Sequence, residues 1–429
     1  MNEILTLSAL DQSKLVRDGK ITWEDLFARH YDRIAEVNPR INAVIETLPV
    51  TTPAHFPFSV KDSIEIAGRS CTAGTLGYRD RPASAEDATL VARLRSAGGA
   101  PIARTNLPDL LFAFESDNLL FGRTNNPYDL LRTSGGSSGG EAALIASCGS
   151  PMGLGSDAAG SVRLPAHFCG IAAIKPTSGR LPREGHVPPA AGWVEQVWQI
   201  GPMARHVKDL IAFLPILMGD SRYHRGSVAN LRVAYFVDNG IMTPDEDTIA
   251  VVERAAKALG AAYARPAGIE KTYDLEMGFL APDGADGLRA FLRSIGSERT
   301  HPLLDGWLAK HEPYRTDLAG FAGVWAELDE FRARMRSFLR DYDVILSPVA
   351  AFPALPHGKS IDNDVFPGFS YTMTHNLTGW PAAVVRCGES KEGLPIGVQI
   401  ATAPNREDLA LSVARRLEET FGGWKPPRI

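Results

Sequence analysis

One stretch, residues 133–163, constrains the fold of this chain more than any other. Its sequence is TSGGSSGGEAALIASCGSPMGLGSDAAGSVR, in which two serine-bearing glycine turns flank an apolar, alanine-rich segment. Glycine allows the main chain to adopt conformations that are closed to other residues and to approach a ligand closely. The segment 141–146 (EAALIA) predicts a helix because it consists of good helix formers. Two hydroxyl-bearing turns joined by one helix can therefore face the same volume.

The GGSSGG run at residues 135–140 has a second interpretation, because such a run by itself is typical of a flexible linker. Here both flanking segments are apolar, which favours a tight buried turn instead. A helix that begins directly after the turn also places free N–H groups there, where they favour negative charge. A chemical role for the turn needs a second signal elsewhere in the chain.

The second signal is the upstream segment 56–63 (FPFSVKDS). Phe56, Phe58 and Val60 recur at every second position, and this period predicts a strand that ends at Lys61. A lysine at a strand end is normally solvated. A lysine that is desolvated among apolar residues loses affinity for its proton and can act as a base toward a serine hydroxyl. Lys61 is therefore a candidate base in a Ser–Lys variant of the catalytic triad.

Further patterns predict the surrounding sheet. Residues 41–46 predict an apolar strand, and residues 4–18 and 22–37 predict two amphipathic helices, the second capped by Thr22. The strand at 56–60 is followed by a predicted helix at 85–97 and a predicted strand at 100–104. This strand–helix–strand order implies parallel pairing in an α/β sheet.

These motifs resemble those of the amidase signature family of serine hydrolases. The matching segments agree with the family in order and spacing, and they are 59–62 (SVKD), 135–140 (GGSSGG), 155–165 (GSDAAGSVRLP), 168–171 (FCGI) and 175–180 (KPTSGR). Residues 137–176 are especially similar to the fatty-acid-amide-hydrolase-like branch. The resemblance covers nearly the whole chain and is strongest at 61–205 and 376–419.

The resemblance implies an α/β fold and a reaction. The fold is expected to be a single large domain over residues 1–429, with a central mixed β-sheet covered by helices on both faces and a mostly helical insertion at about 265–342 over the substrate entrance. The reaction is expected to be hydrolysis of a carboxamide C–N bond through an acyl-enzyme. In this mechanism Ser161 is the nucleophile, Ser137 is the bridging serine and Lys61 is the base. Esters and carbamates are possible side substrates of the same relay.

The resemblance also assigns an oxyanion hole to the backbone N–H groups of Ala158, Ala159, Gly160 and Ser161. Preorganised donors of this kind are usually the largest single catalytic contribution. The family usually has two glycines before the nucleophile, whereas this chain has Ala159 and then Gly160. The methyl group at position 159 is expected to restrict the backbone and to narrow the acyl pocket.

The remaining site assignments concern the substrate and the two turns. Leu111, Phe112 and Phe114 are candidates for the wall of an apolar acyl pocket that takes an aryl or alkyl group, with ordinary core packing as the alternative. Gly136 is assigned to substrate binding. The residues expected to support the two turns are Ser138, Asp157 and Arg163.

Several alternatives stay open from the sequence. Residues 136–140 also fit the G-x-S-x-G nucleophile elbow of an α/β-hydrolase esterase with Ser138 as nucleophile, although the preceding segment 129–133 (DLLRT) is a poor apolar strand. Cys169 is either a nucleophile or a buried small residue. For His375, a packed or substrate-facing position is favoured over membership of a catalytic triad. Two further alternatives are that the chain is the glutaminase subunit of a tRNA-dependent amidotransferase, or that it is a non-catalytic binding protein.

Composition narrows the class of protein. A chain of 429 residues that is 44% hydrophobic can bury a sizeable core, and a net charge of −5 argues against nucleic-acid and anionic-membrane partners. The four cysteines are widely scattered, without the spacing of a zinc site. We expect no metal and no organic cofactor, a small-molecule amide as substrate, and, from the family's habit, a homodimer.

The sequence also bears on location. The first ten residues lack a basic segment followed by an apolar run, so we expect no signal peptide. No stretch reaches the ~20 apolar residues of a membrane span. A cytoplasmic location is the expectation.

Overall fold

Apolar strands alternate with amphipathic helices along most of this chain. The structure, a computed structural model, describes residues 3–189, 192–220 and 230–429. The α-helices are α1 (Glu3–Thr6), α2 (Ala9–Arg17), α3 (Trp23–Ile41), α4 (Thr89–Ser96), α5 (Gly139–Ala146), α6 (Arg163–Phe168), α7 (Val207–Met218), α8 (Glu246–Leu259), α9 (Thr272–Leu280), α10 (Asp286–Ser294), α11 (Pro302–His311), α12 (Leu318–Phe338), α13 (Ser370–Leu377) and α14 (Glu407–Phe421). The strands are β1 (Val44–Thr47), β2 (Phe56–Lys61), β3 (Gly99–Thr105), β4 (Asn125–Asn126), β5 (Asp129–Thr133), β6 (Met152–Asp157), β7 (Ala172–Lys175), β8 (Gln199–Ala204), β9 (Val233–Tyr235), β10 (Ala262–Tyr263), β11 (Val344–Pro348), β12 (Ala382–Glu389) and β13 (Pro395–Thr402).

Eleven of these strands form one mixed sheet, in the order β1-β3-β2-β6-β8-β7-β12-β13-β11-β9-β10. Strand β2 pairs in parallel with β3, as the strand–helix–strand pattern predicts, and it also pairs in parallel with β6. Strand β9 also pairs in parallel, with β10 and β11, whereas the pairs from β6 through β8, β7, β12 and β13 to β11 are antiparallel. Strands β4 and β5 form a separate two-stranded sheet. The predicted α/β fold with a central mixed sheet is therefore confirmed.

Helices cover both faces of the large sheet, so its central strands are buried on both sides. Helices α4, α7, α8 and α14 pack apolar residues such as Leu214 and Val252 against one face. Helices α3, α5 and α6 pack residues such as Ile34 and Leu144 against the other face. All six residues of β2 are accordingly buried, including the polar residues Ser59 and Lys61.

Two sequence predictions near the N-terminus need correction. The predicted strand at 41–46 begins later, because Ile41 is the last residue of α3 and Asn42 adopts a left-handed conformation (φ 47°) that ends the helix. The predicted helix at 4–18 is two helices, since Ser8 caps α2 by accepting a hydrogen bond from the Asp11 amide (3.0 Å). Thr22 caps α3 as predicted, and its hydroxyl accepts from the Asp25 amide (3.1 Å).

Helices α9, α10, α11 and α12 lie within residues 265–342. Residues Leu275 and Phe279 of α9 and Phe331 of α12 belong to one apolar cluster, which also contains Ile345 of β11. The segment is thus packed against the sheet. Among the residues that the structure describes, no helix combines the length and the apolar composition needed to cross a bilayer.

Candidate active site

Lys61 is the last residue of β2 and is completely buried. Its Nζ lies 2.6 Å from the Oγ of Ser137 and donates a hydrogen bond to the Oγ of Ser156 (3.1 Å). Burial lowers the pKa of Lys61 well below its ordinary value, although the charges of Asp157 and Glu141 act in the opposite direction. Burial therefore favours the neutral form of the amine, which can accept a proton from the hydroxyl beside it.

The first glycine turn places Ser137 against the segment 113–116. The Gly136–Ser137 peptide is cis. A side chain at Gly136 would lie 2.5 Å from the carbonyl oxygen of Ala113, so only glycine allows this close approach. The Ser116 hydroxyl accepts a hydrogen bond from the amide of Gly139, the first residue of α5. These contacts fix the turn on one side of Lys61.

The second glycine turn follows β6 and carries Ser161, which is 8% exposed. The carbonyl of Ser161 accepts a hydrogen bond from the Ser138 amide (3.1 Å), so the two turns are directly joined. Gly160 has a φ of 126°, and a side chain there would collide with the Thr372 hydroxyl. Ser137 and Ser161 line the same cavity. The structure thus brings the two serines together, as their motifs predict.

The four predicted oxyanion donors differ in their hydrogen bonds. The Gly160 amide donates to Oδ1 of Asp157 (2.8 Å), so in this arrangement of the turn it is not free to hold an oxyanion, and its assignment to the oxyanion hole stays a prediction. Within the described residues 3–189, 192–220 and 230–429, the amides of Ala158, Ala159 and Ser161 have no hydrogen-bond acceptor. The side chains of Ala158 and Ala159 line the cavity, and neither residue has a positive φ.

Asp157 and Arg163 form a buried ion pair that fixes the second turn. Nε and Nη2 of Arg163 each donate to Asp157 (2.9 Å), and Nη1 donates to the Thr372 carbonyl and to the side chain of Gln399 (2.8 Å each). Burial raises the pKa of Asp157, but the charge and hydrogen bonds of Arg163 and the hydrogen bond from Asn376 outweigh it and hold the pKa well below its usual range. Asp157 and Arg163 therefore both hold the loop that carries Ser161.

Ser138 does not occupy a nucleophile elbow. Its hydroxyl is fully buried, donates to the Ser156 carbonyl and accepts from the Ser156 amide (3.3 Å each). Strand β5, which precedes it, pairs with β4 and does not belong to the large sheet. The esterase alternative with Ser138 as nucleophile is wrong, because an elbow must project its serine from the edge of that sheet.

Cys169 and His375 are packed residues. Burial raises the pKa of the Cys169 thiol, which donates to the Ser134 carbonyl, so a reactive thiolate is disfavoured. Burial lowers the pKa of His375 well below its ordinary value, and its ring is stacked on Trp380. These contacts favour the packed interpretation of both residues.

A small cavity of about 50 Å³ lies in front of the two serines. Its lining is almost entirely apolar and includes all three predicted wall residues: Leu111, Phe112, Ala113, Phe114, Ser137, Ala158, Ala159, Ser161, Val194, Trp198, Leu280 and Trp307. Gly136 is not among these lining residues; it supports the turn from behind. A larger pocket of about 430 Å³ shares Phe112, Val194, Trp198, Leu280 and Trp307 with this cavity.

Several residues of the site are absent from the sequence prediction. Ser156, which contacts Lys61, stands between Gly155 and Asp157 in the second motif and offered a recognisable signal. Trp198 of the loop before β8, Leu280 of α9 and Trp307 of α11 offered none, because apolar residues far apart in sequence are indistinguishable from core residues until the chain is folded.

Comparison with known proteins agrees with this geometry. The model of the family described as Amidase matches residues 25–411. The chain belongs to the amidase signature family. It is accordingly an amide-hydrolysing enzyme, as predicted.

Named relatives and a solved structure extend along nearly the whole chain. The sequence is 30% identical to human fatty-acid amide hydrolase 2, over 99% of this chain and 91% of that protein. It is 29% identical to an acylamidase of Rhodococcus erythropolis, over 96% and 95% of the two chains. The structure of a 6-aminohexanoate cyclic dimer hydrolase matches with a TM-score of 0.85 and 27% identity, over 100% of this chain and 99% of that one.

We expect Asp157→Asn to destabilise the fold, because it leaves the buried Arg163 charge without a counter-ion. The expected loss of unfolding free energy at pH 7 is about 3–5 kcal/mol. Since the pKa of Asp157 is depressed in the folded state, its contribution is present above the unfolded-state pKa of about 3.9 and is lost as the pH falls through the folded value. Urea unfolding at pH 7 measures the difference.

The matched control is Asp341→Asn, at an exposed aspartate on the surface. It should change the unfolding free energy by less than about 0.5 kcal/mol. If Asp157→Asn is as stable as this control, the ion pair does not hold the second turn.

Proposed function

We propose that the enzyme cleaves carboxamides through an acyl-enzyme on Ser161, with Ser137 and Lys61 as a proton relay. The observation that carries the proposal is the contact between the buried amine of Lys61 and the Ser137 hydroxyl (2.6 Å), beside a cavity that Ser137 shares with Ser161. A neutral amine in this position can accept a proton that a solvated lysine, protonated at neutral pH, cannot.

In the first step, Ser161 Oγ attacks the carbonyl carbon while its proton passes to Ser137 and the Ser137 proton passes to Lys61. The negative charge that develops on the carbonyl oxygen is stabilised by the amides of Ala158, Ala159 and Ser161. The Gly160 amide takes no part while it donates to Asp157.

In the second step, the C–N bond breaks and the leaving nitrogen receives a proton from Ser137, which is reprotonated by Lys61. An amine is a poor leaving group unless it is protonated, so this return of the proton matters more for amides than for activated esters. Water then attacks the acyl-enzyme through the same relay and releases the carboxylic acid. Each proton that leaves a serine in one direction returns to it in the other, and the enzyme is restored.

The acyl group is proposed to be apolar, either aryl or alkyl. Phe112, Trp198 and Trp307 border both the small cavity at Ser161 and the larger pocket beyond it. Phe112 and Trp307 lie 4.5 Å apart between ring centroids, so these two rings are in contact at the boundary between the two spaces. An apolar acyl group gains free energy on entering such a lining, whereas a charged head group would lose hydration.

The same lining weighs against the glutaminase alternative. The polar side chains around the cavity at Ser161 are Ser137 and Ser161 themselves, and no charged residue lines it among the residues described. A free glutamine carries an α-ammonium and an α-carboxylate, both of which need polar partners when they are buried. Glutamine is therefore included in the substrate panel below as the discriminating compound.

We expect Ser161→Ala to reduce amide hydrolysis by on the order of 10⁴-fold or more, because the acyl-enzyme cannot form. Lys61→Ala should reduce hydrolysis of amides far more than that of activated esters, because only the amide needs a protonated leaving group. The measurement is kcat/KM for both variants on benzamide, hexanamide, decanamide, glutamine and the matched nitrophenyl esters.

Ser150→Ala is the control, since Ser150 is a buried serine whose hydroxyl donates to the Met152 carbonyl outside the site. It should retain wild-type kcat/KM. Full activity of Ser161→Ala would exclude the relay, and selective hydrolysis of glutamine would replace the proposal with the glutaminase function.

We expect Trp307→Ala to broaden the acyl specificity, because removal of the indole opens the boundary between the cavity and the larger pocket. The ratio of kcat/KM for decanamide to that for hexanamide should rise on the order of tenfold. Trp325→Ala, which removes an indole packed against Phe279, is the matched control and should leave the ratio unchanged. An unchanged ratio in Trp307→Ala would mean that the acyl chain does not pass this residue.

A further inference from the structure

Glu141 is a completely buried carboxyl that the proposed relay does not use. It is the third residue of α5, the helix that begins two residues after Ser137. One carboxyl oxygen accepts a hydrogen bond from the Ser59 hydroxyl (2.6 Å) and the other accepts one from the Thr105 hydroxyl (2.7 Å). We call these two hydrogen bonds the Glu141 link.

The Glu141 link joins the elements that meet in the relay. Ser59 lies two residues before Lys61, on the same face of β2. Thr105 is the partner of Lys61 in the register of β2 with β3. The link therefore ties the helix that follows Ser137 to both strands that surround Lys61.

The space for this carboxyl depends on a glycine. Gly153 of β6 is the register partner of Ser59 on β2. A side chain at Gly153 would collide with the carboxyl of Glu141 and would lie 2.6 Å from the Ser59 hydroxyl. The packing of α5 on β6 is thus shaped around the Glu141 carboxyl.

We propose that Glu141 is a positioning residue for amide hydrolysis, whose hydrogen bonds to Ser59 and Thr105 fix the approach of Lys61 to Ser137. The proposal rests on the proposed function, because it concerns the geometry of that relay. A proton transfer between heavy atoms 2.6 Å apart is sensitive to small displacements. The turn that leads into α5 carries the Ser137 oxygen, and β2 carries the Lys61 nitrogen.

The charges around Glu141 give the proposal a measurable signature. Burial raises the pKa of Glu141 to about 8, against the hydrogen bonds from Ser59 and Thr105 and the charge of Lys61. Lys61 is the titratable group that faces Glu141 from β2. An ionised Glu141 would raise the pKa of Lys61, but the relay needs a Lys61 that is neutral at pH 7, and such a lysine titrates where Glu141 is protonated and uncharged. Replacement of Glu141 should therefore leave the acidic limb of the pH profile in place and change kcat alone.

Two further ionisable groups face Lys61, and Glu141→Ala and Glu141→Gln keep both side chains. Asp157 faces Lys61 from the end of β6 and is paired with Arg163 of α6. His186 also faces Lys61, from the loop after β7, and burial holds its pKa well below the ordinary value. A loss of kcat in Glu141→Ala without a shift of the pH profile therefore reports the geometry of the relay and not the charge of Lys61.

The test compares Glu141→Ala, Glu141→Gln and wild type by kcat and KM for an amide across pH, with the melting temperature of each. Glu141→Ala should lower kcat on the order of 10²-fold with KM unchanged. Glu141→Gln, which keeps the size and one acceptor oxygen, should recover most of kcat, and the acidic limb of its pH profile should coincide with that of wild type. The control Glu418→Gln, at a buried glutamate that accepts from the Val207 amide, should match wild type.

Wild-type kcat in Glu141→Ala, or a kcat in Glu141→Gln as low as that in Glu141→Ala, would overturn the positioning role. If Glu141→Ala does not fold, Gly153→Ala displaces the carboxyl without removing it, and unchanged kcat in that variant overturns the role equally. These results leave the proposed function standing as long as wild type hydrolyses the amide and a fluorophosphonate labels Ser161. Failure of wild type in both assays would instead reject the proposed function, and the positioning role with it.

Discussion

Desolvation of Lys61 is the interaction on which the rest of the site depends. A lysine in water is protonated at neutral pH and cannot accept a proton from a serine. At the end of β2 the amine is enclosed by protein, its pKa falls well below the ordinary value, and the hydroxyls of Ser137 and Ser156 are its polar contacts. The double cover of the sheet by helices thus supplies the chemical property that the relay requires.

Enclosing a lysine in this way requires unusually close packing, and the glycines of the two motifs make it possible. Gly136 lets the first turn contact the backbone of segment 113–115, and Gly160 lets the second turn pass beneath Thr372. On β6, Gly153 and Gly155 leave room for the side chains of Glu141 and Ser138. At each of these positions a methyl group would move a polar side chain or a backbone atom of the site.

The sequence predicted the parts of the site that are encoded locally. The strand that ends in Lys61, the helix after the glycine turn and the convergence of Ser137 and Ser161 follow from short motifs with regular periods. The sequence did not predict that Asp157 accepts a hydrogen bond from the Gly160 amide. This hydrogen bond depends on how the Asp157 carboxylate is shared between Arg163 and the loop.

The residues that complete the apolar lining of the cavity could not be predicted from the sequence either. Trp198 and Trp307 are brought beside Phe112 by the packing of distant segments, and nothing in their own neighbourhoods distinguishes them from core residues. The end of α3 at Asn42 was also missed, since a strand and the last turn of a buried helix share the same apolar composition over a few residues.

The most direct test of the account is the charge of the Lys61 amine in the folded enzyme. Nitrogen-15 NMR of enzyme labelled at lysine, with the Lys61 signal assigned from its loss in Lys61→Met, follows that charge through a pH titration. The account predicts a neutral amine at pH 7 and a midpoint far below the ordinary value of about 10.4. A Lys61 signal that remains that of an ammonium through pH 9 would contradict the account, because the relay would then have no base.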